Sequence, residues 1–301
     1  MDEISNIELF FEEWGLSFNA RTKFNDFLDA IVTNQELLDE CQKIYSIIDD
    51  IVLNKEADSF IRKLEKGSTY YRARIIEPAD DANIEKGIGR TYDNKFIGYN
   101  EVNSREPMIG ISGEGRNNTT GSSYLYMASN PETACMEIKS QFGSLLSLAK
   151  FETIEELTIF DFSTEKTFQR EDSRVHNLSL GVFFSLLMGQ YTTPVSNSKE
   201  YKATQIISDY LRKTGIDGIA YKSFLSPGGV NYTIFNCHPS KIKFCDSRVL
   251  IHKQANHSFW DFNNKSEILS NPNMKYMEYN EDIAKKHKEH LSQRFKIISN
   301  K

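Results

Sequence analysis

The sequence predicts an α+β protein in which a small all-helical region precedes a larger domain built on an open or strongly bent sheet. Three observations carry that prediction. Apolar residues recur at helical spacing from residue 6 to about 66, with no Pro and little Gly. At Gly67 the pattern changes to a Tyr- and Ile-rich run that suits a strand. Beyond it, short strand-like runs are separated by two helical stretches, with no internal repeat.

The helical region shows its spacing at Phe24, Phe27, Leu28 and Ile31, and again at Leu37, Cys41, Ile44 and Ile48. Thr69 to Ile76 reads as the first strand, and the polar segment from Glu77 to Thr120 reads as loop with short elements. Tyr124 to Ala128 is the next strand. Ser129-Asn130-Pro131-Glu132 then starts a helix, because a capping side chain stands before Pro in the first turn. That helix carries Ala134, Ile138, Phe142 and Leu145 as its apolar stripe, with Glu137 at the edge. Strands are expected at 157–162, 217–221, 231–235 and 241–246, and helices near 174–189 and 199–214, the second ended by Gly215. A terminal helix is expected from Asn280 to Ile298. The predicted organisation is therefore a helical region over 1–66, a mixed α+β domain over 67–250, and a polar segment with a terminal helix over 251–301.

Composition removes several classes of function. The 301 residues are 39% hydrophobic and 26% charged, with mean hydropathy −0.49. The longest apolar stretch, near Leu178 to Met188, is broken by Ser179, Gly181 and Ser185 and is too short for a span of roughly 20 residues. No membrane association is expected. The first residues are acidic rather than basic, which argues against a secretory leader. Four cysteines without a Cys-x-x-Cys pair suggest neither a disulfide scaffold nor a zinc knuckle, so a reducing cytoplasm fits best. The net charge of −6 argues against broad nucleic-acid binding. Its distribution is uneven: residues 1–66 hold fifteen Asp/Glu against seven Lys/Arg, and the remainder is slightly basic. The remainder is thus suited to an anionic ligand.

Four segments stand out together: Tyr71-Arg72-Ala73-Arg74; Gly115-Arg116-Asn117 followed by Gly121 and Tyr124 to Ala128; Thr133-Ala134 with Glu137; and Gly215 to Ser223 leading to Gly229-x-Asn231 and Phe235. In this order and spacing, over about 70–246, the chain resembles the RES family, named for its Arg, Glu and Ser. The resemblance implies a bent mixed sheet with flanking helices like that of ADP-ribosyltransferases. It also implies cleavage of the nicotinamide N-glycosidic bond of NAD, by phosphorolysis or hydrolysis, in a bacterial toxin of a toxin–antitoxin or phage-defence system. NAD would be the substrate, inorganic phosphate a possible co-substrate, and no separate cofactor or metal is implied. An antitoxin or regulatory protein and a homo-oligomer are the expected partners. The family's key Arg falls on Arg72, its second Arg on Arg116, its Tyr on Tyr126, its Glu on Glu137 and its Ser on Ser223.

The residue types suit that chemistry. Breaking a ribosyl bond passes through an oxocarbenium-like state, which a carboxylate such as Glu137 stabilises by attraction and by accepting a ribose hydroxyl. A solvated helix Glu is the alternative, but no Lys or Arg stands at i±3 or i±4 to pair with it. Arg72 and Arg74 share a strand face and suit phosphate oxygens, as does Arg116 in its turn-forming loop. Tyr126 either packs against a base or fills the core. Ser223 is expected to bond the ribose or carboxamide and not to act as a nucleophile, because no His near it in sequence could serve as its base. Asn231 either touches substrate or caps its loop. Two other readings stay open: a mono-ADP-ribosyltransferase acting on a macromolecule, and a non-catalytic NAD or ADP-ribose sensor.

Three weaker signals carry no function. His287 and His290 share a helix face but stand among Lys285, Lys286 and Lys288. Cys237, His238 and Cys245 lack zinc spacing. Gly87-Ile88-Gly89-Arg90 lacks the third Gly and the βαβ setting of a dinucleotide loop.

Overall fold

A computed structural model describes residues 20–35, 37–53, 60–76, 98–141, 144–164, 174–193, 201–252, 258–261 and 266–269. Two helices come first, α1 (20–33) and α2 (Leu37–Leu53), separated by Asn34 in the left-handed region at φ 57°. Strands β1 (Ile61–Leu64) and β2 (Thr69–Ile75) follow, joined through Gly67 at φ 86°. Next come the one-turn helix α3 (Glu101–Ser104), β3 (Leu125–Ala128), α4 (Pro131–Glu137), β4 (Leu145–Thr153) and β5 (Leu157–Phe162). Helices α5 (Arg174–Thr192) and α6 (Lys202–Lys213) precede β6 (Gly218–Lys222), β7 (Val230–Ile234) and β8 (Ile242–Ile251). Lys253–Lys301 forms a second compact unit containing the antiparallel pair β9 (Ser258–Asp261) and β10 (Ser266–Leu269).

The fold is α+β, with one eight-stranded sheet in the order β1-β5-β6-β7-β3-β2-β4-β8. Only β5 and β6 are parallel; the other neighbours are antiparallel. The sheet bends until distant strands meet. Lys241, beside the edge strand β8, donates to Asp217 beside β6 at 2.6 Å; across the single strand β3, Tyr70 of β2 also meets the Tyr232 ring of β7 edge-on at 4.9 Å. The bend encloses one core: Leu157, Ile159, Ala220 and Ile234 from one half, with Leu125, Met127, Phe151 and Ile242 from the other.

Period-two alternation sends the neighbouring residues to the opposite face. There Phe160, Phe162, Ile219 and Tyr221 pack against Phe184, Leu187 and Tyr191 of α5, and Ile207 and Leu211 of α6. The N-terminal helices belong to this same core through Phe24, Phe27, Ile44 and Ile48. Tyr45 of α2 also stacks on Tyr210 of α6 at 3.8 Å, and the Tyr210 hydroxyl donates to Asp49.

Two element expectations are corrected. Ile61–Leu64, inside the stretch read as helical, is an edge strand paired with β5. Residues 134, 138, 142 and 145 do not form one helical stripe: α4 stops at Glu137, Lys139 takes φ 48°, and Leu145 already belongs to β4. Residues 6–19, positions 77–97 of the polar segment including Gly87 to Arg90, and Asn280 to Ile298 with His287 and His290 lie outside the described residues.

Candidate functional site

Strands β2 and β3 pair at a single position, Tyr71 with Ala128, whereas β2 and β4 pair along seven. Along the β2–β3 boundary lies a cavity of about 320 Å³, lined by Tyr71 to Ala73, Tyr126 to Ala128, and then Tyr221, Asn231, Ala134, Glu137 and Ile138. Helix α4 covers it. The helix starts where Asn130 accepts a bond from the Thr133 amide at 2.8 Å, with Pro131 in the first turn, as the sequence predicts. Ala134 packs with Ala73 and Ala128, so the helix approaches the sheet closely. Thr133 is fully buried and bonds Ser226 at 3.0 Å, and a Cβ at Gly229 would collide with its side chain.

This clamp places Glu137 at the cavity. Its Oε1 accepts two bonds, from the Ser223 hydroxyl at 2.6 Å and from the Asn231 carboxamide at 2.7 Å. The Ser223 oxygen in turn accepts from the amides of Leu225 at 3.2 Å and Ser226 at 3.0 Å. Its single proton is therefore committed to Glu137 and its lone pairs to the following turn. Glu137 Oε2 has no hydrogen-bond partner among the described residues. One carboxylate oxygen is held and the other is available.

The tyrosines are fixed from behind. Tyr126 donates to Asn118 Oδ1 at 2.7 Å and accepts from the Asn117 amide at 3.1 Å, so its hydroxyl is used and its ring faces the cavity. Burial raises its ionisation well above the ordinary range, and burial likewise pushes Tyr221 up to about 12. Both stay protonated at neutral pH. Asn117 is buried, donates to Thr233 at 2.6 Å and accepts from Ser208 at 3.2 Å. Gln205 donates to the carbonyls of Gly115 and Asn118, so the buried polar side of α6 holds the whole 113–118 loop. A Cβ at Gly115 would stand 2.5 Å from Asn118 Oδ1 and 2.9 Å from the Tyr126 hydroxyl.

The arginines separate. Arg72 lines the cavity, and its guanidinium donates to the carbonyls of Ser104, at 2.6 Å, and Arg105. Burial and then the neighbouring Arg74 push it down to about 9, still above neutrality, so it keeps its charge. Arg74 does not line the cavity; it donates to the Asn103 carbonyl at 2.6 Å and braces α3. Arg116 turns away, donating to the carbonyls of Gln190 at 2.7 Å and Thr193 at 3.0 Å at the end of α5 and lying over the Tyr201 ring. The structure thus gathers Arg72, Tyr126, Glu137 and Asn231 around one cavity, with Ser223 bonded to Glu137, and leaves Arg74 and Arg116 as struts.

Two lining residues, Tyr71 and Tyr221, are absent from the site read in the sequence. Their signal was strand alternation: Tyr221 shares a face with Ser223 two positions on, and stands opposite Asn231 in the register of β6 and β7. Among the described residues no group of three His, Cys, Asp or Glu side chains is placed to hold a metal ion, and all four cysteines are free.

A family model described as RES domain matches residues 99–253, just over half of the chain; Arg72 and Arg74 on β2 precede the matched stretch. No curated protein matches. Among solved structures the chain is similar to one titled "Crystal structure of the M.tuberculosis MbcT-MbcA toxin-antitoxin complex". The identity is 14% and the TM-score 0.37, with 68% of this chain and 94% of that chain covered.

Proposed function

The chain belongs to the RES domain family, and on that premise we propose that it is an NAD-degrading enzyme, the toxin of a toxin–antitoxin pair acting in the cytoplasm. In this reaction the bond between ribose C1′ and the nicotinamide nitrogen breaks, and its electron pair leaves with nicotinamide, cancelling the pyridinium charge. An oxygen of phosphate or water then bonds C1′ and gives up a proton where it carries one.

The observation that carries the reading is Glu137, with Oε1 fixed by Ser223 and Asn231 and Oε2 without a hydrogen-bond partner among the described residues. A carboxylate held in place before charge develops needs little reorganisation to stabilise an oxocarbenium-like state. Its free oxygen is suited to accept a ribose hydroxyl. The rings of Tyr71, Tyr126 and Tyr221 offer flat apolar surface for the nicotinamide or the ribose face, and the half-buried Arg72 supplies positive charge. Ser223 acts by orienting Glu137, since its hydroxyl proton is already committed.

Incubating the purified protein with NAD, with and without inorganic phosphate, and identifying products by mass spectrometry tests this directly. ADP-ribose 1-phosphate indicates phosphorolysis and ADP-ribose indicates hydrolysis. Transfer of ADP-ribose to a macromolecule, or no consumption of NAD, overturns the reading.

A further inference from the structure

A second pocket of about 260 Å³ lies beside the cavity and shares Tyr71 with it; its other lining residues are Leu148, Lys150, Asp246 and Arg248. Sheet register explains why the two adjoin. Asn231 of β7 stands opposite Ala128 of β3, Ala128 opposite Tyr71 of β2, Tyr71 opposite Lys150 of β4, and Lys150 opposite Asp246 of β8. One cross-strand row therefore runs from the residue that holds Glu137 to the pair Lys150 and Asp246. Arg248 enters from the next facing position, opposite Leu148.

Neither the Lys150 nor the Arg248 side chain has a hydrogen bond or ion pair among the described residues, although Asp246 lines the same pocket. Elsewhere in the domain Arg62 is paired with Asp161, Arg105 with Glu101 and Glu106, and Lys241 with Asp217 and Glu155. Two uncommitted cations against one carboxylate leave the pocket net positive. A planar guanidinium fork next to an ammonium suits a tetrahedral oxyanion.

We propose that Lys150 and Arg248 form an oxyanion subsite for a phosphate group, entered from the cavity past Tyr71. The group is either a phosphate of the dinucleotide or free inorganic phosphate. The subsite stands on its own residues, and only the choice between these two sources rests on the NAD reading.

The test is titration calorimetry of the full chain with inorganic phosphate, and separately with NAD, for wild type, Lys150→Gln, Arg248→Gln and the double variant. Lys243→Gln, which removes an exposed charge from the same strand, is the control. Loss of one charge-assisted contact corresponds to roughly a tenfold or greater loss of phosphate affinity in each single variant. Lys150→Arg should retain most of it, and Lys243→Gln should match wild type. If the dinucleotide's own phosphate occupies the subsite, phosphate competes with NAD and the variants weaken NAD binding as well. If free phosphate occupies it, both bind together and NAD affinity is unchanged. Phosphate affinity in the double variant equal to wild type, or no phosphate binding to wild type with NAD affinity indifferent to both residues, overturns the proposal. Binding is read without turnover, so this outcome is independent of whether NAD is cleaved.

Discussion

The Ser223 hydroxyl donates to Glu137 across 2.6 Å while accepting two backbone amides, which commits its one proton. A serine in that state is a poor nucleophile and a good positioning group. Ser223→Ala should lower kcat by about ten- to a hundredfold with little change in KM, the value of one hydrogen bond to a charged group. Asn231→Ala removes the second donor to the same oxygen and should cost a similar factor, with the double variant less than additive because both act on one carboxylate. Steady-state kinetics check this; a ribosylated Ser223 peptide in mass spectra would contradict it.

Gly229 is a packing requirement of the site. A Cβ there meets Thr133 in the α4 helix and comes within 3.0 Å of the Ser226 carbonyl. Gly229→Ala should therefore displace the helix that carries Glu137, costing about 1–3 kcal/mol of stability and most of the activity. Denaturant unfolding together with NAD turnover checks both effects. Wild-type stability and rate in this variant would show that the loop has room the geometry denies.

Arg72 and Arg116 should separate in experiment as they do in space. Arg72→Gln removes the cavity's half-buried cation and should weaken NAD binding by about ten- to a hundredfold. It should also reduce the rise in Tm that NAD, as a ligand specific for the folded state, produces at a fixed concentration. Arg116→Ala instead leaves the Gln190 and Thr193 carbonyls without their donor. It should lower Tm while changing NAD affinity less than threefold. Calorimetry at two salt concentrations separates these outcomes; equal losses of affinity would return Arg116 to the ligand.

Removing the N-terminal helices should damage the protein rather than activate it. Phe24, Phe27, Ile44 and Ile48 are buried against the sheet and α5–α6 core, and each contributes roughly 1.5–3 kcal/mol by burial. A fragment of residues 60–301, which keeps β1, should aggregate or unfold at low denaturant in size-exclusion and melting experiments. A monodisperse fragment that consumes NAD faster than the full chain would instead assign these helices an inhibitory role.

The regularly patterned parts of the fold were legible in sequence. Strand-like runs marked β2, β3, β5, β6 and β7, and the Asn130-Pro131 start of α4 and the Gly215 stop, with φ 90°, follow local chemistry. Strand β1 was not legible, because Ile-Arg-Lys-Leu is a four-residue edge segment whose charged middle shows no alternation. Nor was β4: Leu145 extended the helical spacing of Ala134 and Ile138, although α4 ends at Glu137 and the backbone turns at Lys139. At the site, Glu137 and Arg72 were readable from their motifs. The commitment of Ser223 to Glu137 and of Arg116 to α5 depends on contacts 86 and 74 positions apart, which spacing alone does not reveal.

The central claim is that the held carboxylate of Glu137 drives cleavage of the nicotinamide–ribose bond, and Glu137→Gln tests it most directly by keeping shape and removing charge. With folding confirmed by circular dichroism, NAD consumption by this variant, followed by mass spectrometry with phosphate present, should fall by about a hundredfold or more while NAD still binds. Turnover within threefold of wild type would contradict the account.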